Sequence, residues 1–151
     1  MNKKMIISLF IFIISIITLM LAFNFNKGGK FVKPSFDVNA LEGSPNVAND
    51  SYTQIEYSTY YKIKLCGNPE IKGNNLYLYL TSLDTNDITI KVRIYKDDNL
   101  VGESGLIKPN SYLEYIKVKN INSGDKIKVK IMGYDNEYHS AGVINTNIVI
   151  K

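Results

Sequence analysis

Two hydrophobic patterns divide this chain. Met5 to Phe25 (MIISLFIFIISIITLMLAFNF) is one apolar run without a charge, broken only by Ser8, Ser15, Thr18 and Asn24. As a helix it would reach about 31 Å, enough to cross a hydrocarbon core of about 30 Å. After Tyr57 a period of two takes over, which puts successive side chains on opposite faces of half-buried strands. Tyr61, Ile63 and Leu65 alternate with Tyr60, Lys62 and Lys64, and a short piece follows around Ile71. Leu76, Leu78 and Leu80 then alternate with Tyr77 and Tyr79. The cleanest case is Ile88, Ile90, Val92 and Ile94, set against Thr89, Lys91, Arg93 and Tyr95. Further strands are predicted at 100–107, 112–119, 126–131 and 143–150. Gly67-Asn68-Pro69, Gly73-Asn74-Asn75, Asp97-Asp98-Asn99, Pro109-Asn110-Ser111 and Ser123-Gly124-Asp125 separate them with turn chemistry.

About seven strands with no soluble helix predict an all-β domain, an immunoglobulin-like or fibronectin-like two-sheet sandwich, preceded by one N-terminal transmembrane helix. The organisation this implies is a cytoplasmic stub at 1–4, a signal-anchor helix at 5–25, a tether at 26–57 and an extracytoplasmic domain at 58–151. The tether is predicted from Gly28, Gly29, Pro34, Gly43 and Pro45 and from the lack of any period, with Phe31, Val32, Phe36, Val38 and Leu41 able to dock part of it. The aromatics mark the same division, since all 6 phenylalanines lie at or before Phe36 and all 11 tyrosines at or after Tyr52. A cleaved signal peptide is the competing reading. It would have a shorter apolar stretch and a small-x-small cleavage site, whereas the run here ends Leu21-Ala22-Phe23-Asn24. Lys3 and Lys4 face Lys27, Lys30 and Lys33 across the run, so charge does not set the orientation; the large domain on the C-terminal side favours its export.

Composition narrows the chemistry. Cys66 is the single cysteine, which excludes an intrachain disulfide and any two-cysteine zinc or redox pair. A net charge of +4 comes from scattered lysines rather than a basic tail, and nucleic acid is not an expected partner. His139, the single histidine, precedes Ser140 in a loop, and adjacent residues rarely aim at one another as a base and nucleophile must. No catalytic, metal-ligating or cofactor-binding residue is assigned, and an enzyme is not expected. The Asp and Asn residues of the loops suit calcium ligation less well than turn formation.

The runs CGNPEIKGNNLYLYLTS (66–82), VRIY (92–95), GESGLIKP (102–109) and IMGYDNEYHSAG (131–142) resemble a family of small, uncharacterised envelope proteins of Gram-positive bacteria. Its members pair an N-terminal membrane segment with one sandwich domain. The resemblance implies a place in the cell envelope and transfers no activity. What remains for function is the strand exteriors. Lys91, Arg93 and Tyr95 would share a face with Lys126, Lys128 and Lys130 if their strands are neighbours, and Lys62, Lys64, Tyr77, Tyr79, Tyr115, Lys117 and Lys119 would line the other sheet. The first face is the candidate partner-binding surface. The expected function is a non-catalytic binding or assembly module on the outer face of the cytoplasmic membrane, its partner another envelope protein. The alternative is a carbohydrate- or polyanion-binding domain that reads acidic wall polymers.

Overall fold

The computed structural model of the chain describes residues 12–18, 32–47 and 54–151. It divides into two units, Met1–Val32 and Lys33–Lys151. In the first, residues 12–18 are helical and expose Phe12, Ile13, Ile14, Ile16 and Ile17. Among the described residues no helix is long and apolar enough to cross a membrane. The rest of the expected 5–25 span and the stub at 1–4 lie outside the described residues.

The second unit is all-β. Its strands are β1 (Leu41–Glu42), β2 (Gln54–Tyr57), β3 (Ile63–Cys66), β4 (Glu70–Lys72), β5 (Asn75–Tyr77), β6 (Leu80–Ser82), β7 (Thr89–Lys96), β8 (Asn99–Glu103), β9 (Ser111–Leu113), β10 (Ile116–Lys117), β11 (Lys126–Tyr134) and β12 (Ser140–Val149). They form three antiparallel sheets, ordered β1-β9-β6-β3-β2, β10-β5-β4 and β12-β11-β7-β8. The five- and three-stranded sheets run on from one another. The Cys66 N–H donates to Leu78 O at 2.8 Å and the Tyr79 N–H to Glu114 O at 3.0 Å, bridging the break between them. Together they face the four-stranded sheet across one core. That core takes Ile63, Leu65, Leu80 and Leu113 from the first sheet, Leu76 and Ile116 from the second, and Ile90, Val92, Ile94, Ile127, Val129, Ile131, Ile144 and Ile148 from the third. These are the apolar positions of the alternation, and the sandwich-like arrangement follows from burying them on both inner faces.

Each of the expected strand segments contains a strand, but several are broken. Leu76, Leu78 and Leu80 are all fully buried, yet the strand predicted across them splits because Tyr79 turns left-handed at φ 48°. Its partner over 112–119 divides opposite the same point into β9 and β10. Two sheets were expected; the kink makes three.

Part of the segment expected as a tether, 26–57, lies in the second unit, while residues 26–31 and 48–53 lie outside the described residues. Residues 33–47 and 54–57 belong to the folded unit, not to a free tether. Phe36 bridges Leu106 in parallel, β1 pairs with β9, and β2 adds an edge beside β3. The segment is held by Leu106 N–H to Ser35 O at 2.9 Å, Asp37 N–H to Leu106 O at 2.8 Å, and Gly105 N–H to Asp37 Oδ2 at 2.8 Å. Gly105 permits this approach, since a Cβ there would sit 2.6 Å from the Asp37 nitrogen. Of the apolar residues expected to dock, Phe36 and Leu41 pair through their backbones while their side chains, like those of Val32 and Val38, stay exposed; Phe31 lies outside the described residues.

The two layers are joined on both sides. Gly102 bridges Val118, and the Lys119 N–H donates to Val101 O at 2.9 Å, so β8 is covered by the chain running on from β10. On the opposite side β12 is the edge of its sheet, and just past its end the Lys151 N–H donates to Pro69 O at 2.8 Å.

Candidate functional site

The strands that carry the basic face are neighbours. β7 and β11 pair antiparallel with Tyr95 opposite Lys128, Arg93 opposite Lys130 and Lys91 opposite Met132. Alternation buries Ile90, Val92 and Ile94 on one strand and Ile127, Val129 and Ile131 on the other, and so turns Lys91, Arg93, Tyr95, Lys126, Lys128 and Lys130 outward together.

The face is less bare of acid than the sequence led one to expect. Glu103 on β8 lies opposite Arg93, 3.1 Å from both Arg93 Nε and Lys91 Nζ. Burial raises the Glu103 carboxyl, but the hydrogen bonds and charges of Lys91 and Arg93 outweigh this and hold it below its ordinary value. Arg93 is raised in return by its hydrogen bond to Glu103. Lys128 donates to Asp98 at 2.8 Å and lies 5.5 Å from the Tyr95 ring centroid. That bond raises Lys128 and lowers Asp98. Lys126 and Lys130 have no carboxylate within ion-pair reach among the described residues. The result is a net-positive strip along β11, flanked by a tyrosine and two neutralising carboxylates. Beside it, on β12, stand Asn145 opposite Lys130 and Asn147 opposite Lys128.

The other layer carries an aromatic cluster. Tyr77 lies 5.6 Å from Tyr115 and 6.1 Å from Tyr79, ring centre to ring centre, and Lys72 sits 5.3 Å over Tyr77. Tilted rings at this spacing are an ordinary favourable arrangement and leave amphipathic area at the surface. A cleft of about 410 Å³ lies where the N-terminal segment docks, lined by Phe36, Asp37, Leu106 and Lys108 among others.

The loops carry turn chemistry. Asp135 Oδ1 accepts from the backbone N–H groups of Glu137 and His139, Asp37 Oδ1 from that of Asn39, and Asp125 Oδ2 from that of Asn122. His139 Nδ1 sits 3.3 Å from Asp135 and 3.6 Å from Glu137 in an exposed loop. Among the described residues no three of His, Cys, Asp and Glu converge as metal ligands would.

The residue that sequence reasoning missed is Glu103. Counting back from the Asp97-Asp98 turn pairs Lys96 with Asn99 and Tyr95 with Leu100, which carries Gly102 opposite Arg93 and Glu103 into the core. One extra residue on β8, between the pairs Tyr95–Leu100 and Ile94–Gly102, shifts the register and turns Glu103 outward. No family model, curated protein or solved structure matches the chain.

Proposed function

We propose that the chain is a non-catalytic binding or assembly module, anchored in the cytoplasmic membrane by its N-terminal segment with the β domain outside. The observation that carries the binding reading is the strip formed by Lys126 and Lys130, which lack carboxylate partners among the described residues, beside Lys128 and Tyr95. Lysine stems and a tyrosine ring on one rigid sheet face offer apolar contact area and charge to an acidic envelope protein. Membrane anchoring is supported by the uncharged run 5–25 and by the helical residues 12–18, which present Phe12, Ile13, Ile14, Ile16 and Ile17 and carry no charge. Thr18 Oγ1 donates back to Ile14 O or Ser15 O, as a hydroxyl in hydrocarbon must.

The immunoglobulin- or fibronectin-like reading of the sandwich is supported by strand order. β12-β11-β7-β8 has the G-F-C-C′ sequence of such a sheet, and β9-β6-β3 has the E-B-A sequence of its partner. Here β1, from the N-terminal segment, lies beside β9 where a D strand would run. The envelope family resembled in sequence is consistent with this architecture.

The test is Lys126→Gln with Lys130→Gln in the full chain. Capture of envelope partners from solubilised membranes should fall several-fold at low salt while the melting temperature holds, because no ion pair among the described residues is lost. Unchanged capture removes the basic strip from the reading. A second reading, recognition of wall carbohydrate, is favoured by the Tyr77–Tyr79–Tyr115 cluster. Purified wall polymer should then bind in a salt-tolerant way that Tyr77→Ala weakens.

A further inference from the structure

We propose that β12 is a self-association edge, through which two copies of this chain join their four-stranded sheets antiparallel about a two-fold axis at Thr146. Three observations lead there, none of which depends on what the basic face binds.

The first is that this edge is open over Val143–Val149, closing only beyond it where the Lys151 N–H donates to Pro69 O at 2.8 Å. The Ile150 N–H donates to Asp125 O at 3.0 Å and Ile150 O accepts from Gly124 N–H at 2.8 Å, so the backbone groups of the even-numbered residues of β12 point toward β11. The ladder farther in keeps the same phase, with the Ile90 N–H and Ile107 O exchanging bonds on the β8 side of β7. Those of Val143, Asn145, Asn147 and Val149 therefore point away from the sheet, and no partner for them exists among the described residues. The second is that β12, Ser140–Val149 (SAGVINTNIV), contains no charge and no proline, the devices by which edges avoid pairing. The opposite edge, β8, is covered by Val118 and Lys119.

The third is the sequence of the edge. Val143-Ile144-Asn145-Thr146-Asn147-Ile148-Val149 reads the same in both directions about Thr146. A two-fold interface pairs residue i with j and j with i, so a palindromic strand meets its copy like against like. Asn145 would face the partner's Asn147, amides that each donate and accept. Val143 and Val149, 36% and 55% exposed, would cover one another. These outward-pointing residues form hydrogen-bonded pairs in that register, about eight new backbone bonds, with Thr146 on the axis as a non-bonded pair. Lys128 and Lys130 stand one strand in from the edge. Across the seam they are about 14 Å from their counterparts, beyond the roughly 8 to 10 Å over which exposed charges interact at ordinary salt. The edge thus accepts a second copy with no like-charge conflict.

The test uses the full chain in non-ionic detergent. Light scattering behind size exclusion should give a dimer over a dilution series, and Asn145→Lys with Asn147→Lys should give a monomer that keeps its strand circular dichroism. In a Cys66→Ala background, Thr146→Cys should crosslink to its own copy under mild oxidation, since paired Cα atoms about 4.5 Å apart suit a disulfide. Val143→Cys should not, because its copy lies about 20 Å away along the strand. A wild-type chain that stays monomeric, a dimer that survives the two lysines, or crosslinking of Val143→Cys as readily as Thr146→Cys overturns the proposal. If the double-lysine variant loses its fold, the two crosslinking variants decide alone.

Discussion

Val92 and Arg93 are adjacent in sequence and opposite in consequence, and Val92→Asp against Arg93→Asp is the sharpest test of the register. Val92 is fully buried, opposite Ile131 in the ladder, and its N–H donates to Ser104 Oγ at 3.0 Å. Removing the valine forfeits about 2 kcal/mol of apolar burial. A carboxyl in that position must also be neutral. Ser104 Oγ already donates to Gly105 O at 2.7 Å and so has no proton to offer. Holding an acid of ordinary value near 3.9 protonated at pH 7 costs about 4 kcal/mol, and burying the neutral group costs a further 1 to 3 kcal/mol. The total is comparable to the whole stability of a small domain, roughly 5 to 15 kcal/mol. Arg93→Asp removes one partner of Glu103, leaves it Lys91, and costs under about 1 kcal/mol at an exposed site. Thermal melts followed by circular dichroism at pH 7 should show no cooperative transition for Val92→Asp and a shift of only a few degrees for Arg93→Asp. The sign with pH follows from linkage. The buried carboxyl has a folded value above its unfolded one, so its penalty grows as pH rises above about 4 and shrinks on acidification. Val92→Asp should therefore recover stability relative to wild type at pH 4.5. Equal melts for the two variants, or no recovery, would refute the assignment of faces.

Tyr61 gives a second pH test. Its hydroxyl donates to Ile131 O at 2.9 Å, and burial pushes it from 10.0 up to about 12. The neutral form is favoured in the folded state, so stability present below pH 10.0 should decline as pH rises toward about 12. Tyr61→Phe should melt a few degrees lower at pH 7 and lose that decline relative to wild type, as paired melts would show. Gly133→Ala should cost about 1 to 3 kcal/mol in urea titration, because its Cβ would lie 2.6 Å from the Tyr61 ring. Asp125, bonded to Lys96 at 2.7 Å and to the Asn122 N–H at 2.7 Å, is held below the usual carboxylate range. Asp125→Asn should lower the melting temperature at pH 7, and that effect should shrink as the pH falls below the usual carboxylate range and the wild-type carboxyl takes up its proton. Full-length protein should fractionate with membranes and keep its N-terminus; a soluble species beginning between Asn24 and Lys30 would contradict the anchor.

Much of this molecule is written in its period-two pattern. Ile90, Val92, Ile94, Ile127, Val129 and Ile131 announce their burial by alternation alone, and the outward set of Lys91, Arg93, Tyr95, Lys126, Lys128 and Lys130 follows from it. That β7 and β11 are neighbours needed an architecture as well, and the sandwich expectation supplied it. The failures sit where the period breaks. Leu76, Leu78 and Leu80 continue the alternation through a kink that only Tyr79's left-handed backbone reveals. Glu103 changes face because of one extra residue, which leaves no mark in VGESG. The segment 33–47 was hidden for a different reason. A bridge at Phe36 and a two-residue strand are too short to carry any period, and their docking rests on backbone bonds to Gly105, Leu106 and Asn110 that a linear pattern does not encode.

The docked segment also decides how the domain bears load. A pull on the chain at Lys33 reaches the core strands only after the bonds of Ser35 and Asp37 to Gly105 and Leu106, and of Gly43 to Asn110, have parted. Their release, together with the β1–β9 pairing, would free some eleven residues, about 35 Å of chain at full extension, while the main core stays folded. The N-terminal clasp is in this sense a mechanical fuse, taking up displacement before the load reaches the sheets. Gly105→Val, by wedging the clasp open, would hand over that slack without any force at all.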